Sequence, residues 1–124
     1  MKTINDIRTE RQLSAPKHVT TKRELTFNNS LETACVIPAG TSLEVYFSGV
    51  RHDRIYFEYN GSARAASIVN AHNSFTGFNK PPGMAALERY SNDGVAKTCT
   101  GHRTEPDGTG PDGSPSWLLV IGVI

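Results

Sequence analysis

The stretch "NDGVAKTCTGHRTEPDG", residues 92–108, concentrates the side chains best suited to hold a small charged ligand. Lys97, His102 and Arg103 offer cationic donors, and Thr98, Thr100 and Thr104 offer hydroxyls. Glu105 and Asp107 are acceptors suited to ribose hydroxyls or an adenine amino group. Glycines at 94, 101 and 108 let a backbone approach a ligand closely. Phe75, Phe78 and Tyr90 supply rings on which a base could stack. That inventory fits a compact ligand carrying both phosphate and sugar, with charges matched and hydroxyls paired. The plainer alternative is a surface hairpin whose charges are solvated.

Familiar catalytic signatures are missing from the sequence. It has no G-x-x-x-x-G-K-[ST] phosphate loop, no G-x-S-x-G, no C-x-x-C and no H-E-x-x-H. Histidines 18, 52, 72 and 102 have no metal-ligand spacing. His52-Asp53 reads as a turn rather than an acid–base pair. "DGTGPDG" offers Asp107 and Asp112 as oxygen donors but lacks the closing Glu of a calcium loop, and Asp-Gly also builds turns. The expectation is therefore no catalytic residue, no metal and no cofactor. A second candidate feature is Arg51, Arg54 and Arg64, a small basic patch that an oligomer would multiply around a symmetry axis.

These residues must be positioned by the elements around them. "TSLEVYFSG" alternates, with Leu43, Val45 and Phe47 on one face and Glu44, Tyr46 and Ser48 on the other. "RIYFEY" repeats the pattern, with Ile55, Phe57 and Tyr59 inward and Arg54, Tyr56 and Glu58 outward. Asn60-Gly61 is a strong two-residue hairpin signal, so "SARAAS" follows as a third strand. The period then changes. Ile68, Ala71, His72 and Phe75 share a helical face, and "PPGMAALERYSND" reads as a second helix ended by Gly94. "VAKTCTGHRTE" predicts a hairpin turning near Thr100-Gly101, "EPDGTGPDGSP" a shaped loop, and "SWLLVIGVI" a final buried strand. The fold class expected is α+β: an antiparallel β-meander with two short helices, a C-terminal hairpin and that strand. "MKTINDIRTERQL" could form a short helix with Ile4, Ile7 and Leu13 partly sharing a face, but "SAPKHVTTKREL" interrupts it with Pro16 and a Thr pair. Residues 1–30 thus lack sustained periodicity and read as a loosely ordered arm before a single ligand-binding domain, 31–124.

Composition narrows the function. With 13 basic and 12 acidic residues the formal net charge is +1, so no global field draws in a nucleic-acid polymer or a membrane. The apolar run at Trp117–Ile124 is far shorter than the roughly 20 residues of a membrane span. No signal peptide is evident, which favours a reducing cytosol and free thiols at Cys35 and Cys99. Hydrophobic content of 37% with 11 glycines suggests a thin core, and from it a homo-oligomer of at least two chains. Two other function classes stay open. Tyr46 and Tyr56 on the meander's outer face would be the hot spot of a protein-binding inhibitor. The arginines at 51, 54 and 64 would serve a small nucleic-acid-binding module.

"LERYSNDGVAKTCTGHRTEPDGTGPDGSPSWLLVIGVI", with "LEVYFSG" and "NAHNSFTGFNKP", resembles the phage anti-Thoeris sponge family over roughly residues 40 to 124. The resemblance implies a non-enzymatic anti-defence protein in the cytoplasm of an infected bacterium. Such a protein traps a cyclic ADP-ribose isomer made by an immune TIR-domain protein and keeps the host effector off. The oligomer would then be a dimer or hexamer, and some members of the family it resembles similarly hold cyclic oligonucleotides of a second immune pathway at a separate site in a higher oligomer. By the same resemblance an aromatic residue, an Asn near a helix end and an Arg in the polar segment contact the ligand. Here those roles fall to Phe75 or Phe78, Asn92 and Arg103. The first 30 residues carry no part of the likeness.

Overall fold

A computed structural model describes residues 2–29 and 32–122 of the chain. The fold is α+β. Four strands form one antiparallel sheet in the order β1-β4-β5-β6, where β1 is Lys17–Thr20, β4 Ser42–Phe47, β5 Arg54–Tyr59 and β6 Ser62–Ser67. The meander expected from alternation is β4-β5-β6. Asn60 and Gly61 both have positive φ, 53° and 76°, as a tight two-residue hairpin requires. A separate hairpin pairs β2 (Leu25–Asn29) with β3 (Glu32–Ile37). Helices α1 (Ile4–Arg11), α2 (Ile68–Ser74), α3 (Met84–Asp93) and α4 (Trp117–Ile121) complete the chain with the short ladder β7 (Ala96–Lys97) and β8 (Arg103–Thr104).

The main core lies on one face of the sheet, where α2, α4 and the β2–β3 hairpin cover Leu43, Val45, Phe47, Ile55 and Phe57. All five phenylalanines of the chain meet there in an unbroken series of tilted contacts. Ring centroids are 5.5 Å apart for Phe27–Phe57, 5.8 Å for Phe57–Phe75, 6.4 Å for Phe75–Phe78 and 6.0 Å for Phe47–Phe78. Offset and edge-on geometries of this kind add to the burial each ring already gains.

The first 30 residues are not a detached arm. α1 packs Ile4 and Ile7 on Tyr46 and Tyr56, across the face of the sheet opposite the main core. The Glu58 carboxylate accepts from the Ile4 amide at 2.9 Å, and Arg8 and Arg11 lie over the Tyr46 and Tyr56 rings. β1 pairs along β4 from Lys17↔Val45 to Thr20↔Ser42. The boundary expected between residues 30 and 31 lies outside the described residues, and the strands on either side of it, β2 and β3, pair with each other. The short helix suggested by Ile4 and Ile7 does form, but its packing could not be foreseen: these two isoleucines are its whole buried stripe, and their partners are tyrosines that alternation assigns to the outside. Tyr46 and Tyr56 do point to that face, but at 9% and 7% exposure they are buried under α1.

The final segment is also corrected: "WLLVI" is a helix, not a strand. Ser116 caps it, its hydroxyl oxygen accepting from the Leu119 amide at 3.3 Å. Gly122 ends it in the left-handed region at φ 83° and donates to Leu118 O at 3.0 Å. A strand of these residues would need a free sheet edge beside it. Helical geometry instead satisfies its amides internally while Trp117, Leu118 and Val120 enter the core. α2 and α3 form where helical spacing predicts them, and Gly94 caps α3 at φ 70°.

Because α1 belongs to the folded unit, Ile7→Ala should lower the unfolding free energy by about 2 kcal/mol or more. Urea titration followed by tyrosine and tryptophan fluorescence measures this. A change within a few tenths of a kcal/mol would mean that α1 is not packed on the sheet.

Candidate functional site

The β7–β8 hairpin and the last turns of α3 enclose a cleft of about 270 Å³. Lys97 and Arg103 stand directly opposite each other in the ladder, and both are exposed. Ladder partners project to the same face of a hairpin, so both cations serve one side. Arg89 and Asp93, one helical turn apart on α3, line the cleft with half-buried Tyr90. The cleft thus gathers three cations, one carboxylate and one aromatic ring.

Of the residues singled out in the sequence, Lys97 and Arg103 are brought together here. Asn92 is exposed on the last turn of α3, beside Asp93, but is not among the lining residues. Glu105 and Asp107 are exposed on the loop after β8 and also lie outside the lining. Phe75 and Phe78, at 1% and 8% exposure, belong to the phenylalanine series and do not line this cleft. Tyr90 is the ring that remains beside the cations.

Thr98 and Thr100 have internal duties. Thr100 donates to Asp112 Oδ2 at 2.7 Å, and the Ser114 hydroxyl donates to Asp112 Oδ1 at 2.5 Å. The Ser114 amide donates to the same Oδ1 at 3.1 Å, closing a local turn of the kind Asp favours. Thr98 Oγ1 lies 2.8 Å from the Ser114 hydroxyl and accepts from the His102 amide at 3.2 Å. Thr98 and Ser114 are fully buried, so these hydroxyls hold the loop to the hairpin rather than meet a ligand. Lys17 of β1 and His102 each approach Asp112 Oδ2 at 3.7 Å. A Cβ at Gly110 would come within 3.0 Å of His102 Cβ and 3.2 Å of Asp112 Oδ1, so glycine there makes the knot possible. Asp112 was visible in the sequence only as an oxygen donor. Asp-x-Ser at 112–114, two residues after a glycine, was the available sign of its turn-building role.

The three arginines do not form one patch. Arg54 is paired with Ser67 on the α1 side of the sheet, whereas Arg64 is paired with Phe57 on the core side. Arg51 and Arg54 both lean on the Asp53 carboxylate, at 3.5 and 4.0 Å. Cys35 and Cys99 are free and buried, and burial pushes the Cys99 thiol up to about 12. Among the described residues no helix is long and apolar enough to cross a membrane.

Comparison with protein-family models, with curated proteins and with solved structures finds no match. Function must be argued from this chain alone.

Burial raises the Asp112 carboxyl, but hydrogen bonds from Ser114 and Thr100, with His102 nearby, outweigh it and hold the group below its ordinary 3.8. A carboxyl depressed by folding stabilises the protein fully above its unfolded value of about 3.9, and that stability is lost as pH falls through the folded value. The unfolding free energy should therefore decline below about pH 4. Asp112→Asn should be less stable at pH 7 by about 1–3 kcal/mol and have a shallower acid limb. Parallel acid limbs in urea titrations at several pH values would show that Asp112 is not the hub described here.

Proposed function

We propose that this protein binds a nucleotide-type immune signal, of the cyclic ADP-ribose class, and holds it without transforming it. The observation that carries the reading is the convergence of Arg89, Lys97 and Arg103 on one cleft beside Tyr90. Guanidinium and ammonium groups suit a pyrophosphate, since charge-assisted bonds to phosphate oxygens are short and strong. Asp93 offers acceptors to ribose hydroxyls, and the Tyr90 ring offers an apolar wall to a base.

A cleft of about 270 Å³ is at the small end for a drug-sized ligand. In this reading it takes the phosphates and one sugar, and the rest of the ligand meets the rim, where Asn92 stands, or a second copy of the chain. A homo-oligomer, dimer or hexamer, is part of the proposal. So is its setting in the cytoplasm of an infected bacterium, which rests on the resemblance to anti-Thoeris sponges. The alternative of a protein-binding inhibitor loses its hot spot, because Tyr46 and Tyr56 lie under α1. A second cyclic-oligonucleotide site at Arg51, Arg54 and Arg64 has little support, since the sheet separates Arg54 from Arg64.

Sequestration needs slow release and no poised acid or nucleophile. After long incubation with a slight excess of cyclic ADP-ribose, denaturation should return the unchanged cyclic molecule in stoichiometric amount. Accumulation of a linear product would make the protein an enzyme and end this reading. Arg89→Ala, Lys97→Ala and Arg103→Ala should each weaken binding by about tenfold to a hundredfold, the loss of one charged hydrogen bond. Calorimetric titration of the three variants checks this, and wild-type affinity in all of them would move the site elsewhere. Light scattering that gives a monomer mass at micromolar concentration would contradict the oligomer.

A further inference from the structure

A wider cleft, of about 410 Å³, lies between β2 and α2 and shares no lining residue with the α3 cleft. Every residue from Arg23 to Phe27 lines it. Arg23 and Glu24 precede β2, while Leu25, Thr26 and Phe27 belong to it. Side chains alternate along a strand, so a groove touching three consecutive strand residues runs along the strand's edge rather than over one face. That edge is open, because among the described residues β2 pairs on one side only, with β3. The opposite wall is made by Ala66 and Ser67 at the end of β6, by Asn70, Ala71 and Ser74 on one face of α2, and by Phe75 just past its end. Leu25, Ala71 and Phe75 are buried and form an apolar floor.

One end of the groove is closed. The Lys22 amide donates to Ser74 O at 2.8 Å and the Lys22 ammonium to His72 O at 2.9 Å. These bonds satisfy two carbonyls at the C-terminal end of α2 and leave a cation above them. Arg23 stands at the same end, held to the Ser74 hydroxyl at 3.3 Å. Two cations against the one carboxylate of Glu24 give this end a net positive charge.

We propose that this groove binds the C-terminal tail of a partner polypeptide in extended form. The tail adds a strand to the open edge of β2, its final carboxylate meets Arg23, and its last apolar side chain enters the floor. Main-chain pairing along a strand edge supplies affinity, and the pocket and carboxylate contact supply selectivity. The strand residues that line the groove, Leu25 to Phe27, span about 10 Å, enough to align the last three residues of a tail. This site is independent of the nucleotide reading.

The test is fluorescence anisotropy with fluorescein-labelled hexapeptides Gly-Ser-Thr-Ser-Val-X, where X is Leu, Ile or Phe, each as free acid and as C-terminal amide. At least one free acid should bind saturably, and amidation and Arg23→Gln should each weaken it by about tenfold or more. If Arg23→Gln fails to fold, the amide comparison on the unaltered chain decides the question. The proposal is overturned if none of the three binds up to about 1 mM, a limit equivalent to about 4 kcal/mol. It is also overturned if amides bind as well as acids, or if AMP or inorganic phosphate displaces the peptide.

Discussion

The series of five phenylalanines is the constraint on which the other placements depend. It runs from the β2–β3 hairpin through β5 to the end of α2, then by Phe78 back to β4. Burying a ring stabilises by about 1.5–3 kcal/mol, and a well-oriented ring pair adds about 0.5–1.5 kcal/mol. Phe78 fixes the chain that leaves α2. Next to it, the Asn79 amide donates to Cys99 O at 2.8 Å, which brings the β7–β8 hairpin against the core. The cations of the α3 cleft are therefore positioned from beneath by this series, through Phe78 and the Asn79–Cys99 bond.

The second support is polar. Asp112, Thr98, Thr100 and Ser114 form a closed set of hydroxyls and one carboxylate at the base of the hairpin. Closed networks of this kind rigidify, whereas the loss of one member leaves buried groups unpaired. Lys17 extends the set to β1, so the N-terminal segment and the C-terminal loop are joined through a single carboxylate. The polar run near the C-terminus is thus divided. Its buried hydroxyls build the loop, while Lys97 and Arg103 stay open to solvent.

Elements with strong local signals were legible in the sequence. The alternation of Leu43 to Phe47 and Ile55 to Tyr59, the Asn60-Gly61 turn, the spacing of Ile68 and Ala71, and the Gly94 cap all act within a few residues. The docking of α1 on the sheet and the helical state of α4 were not legible. α1 depends on tyrosines more than 30 residues away, and α4 is apolar on most of its surface, which hides a helical period in a five-residue element. At the site, an inventory of donors identified Lys97 and Arg103 but could not say which hydroxyls were already bonded. Arg89 and Asp93 escaped notice although Asn92 had drawn attention to the same helix. Their i,i+4 spacing beside Tyr90 was the sign. Phe75 and Phe78 were misplaced because an aromatic residue that can stack on a base can equally fill a core.

The central claim is that the cleft between α3 and the β7–β8 hairpin holds the nucleotide-type ligand. Its most direct test is amide chemical-shift mapping of the ¹⁵N-labelled protein during titration with cyclic ADP-ribose. Saturable shifts should centre on Arg89, Tyr90, Asp93, Lys97 and Arg103, with little change along β4 and β5. Shifts centred on any other surface, or none at saturating ligand, would contradict the claim.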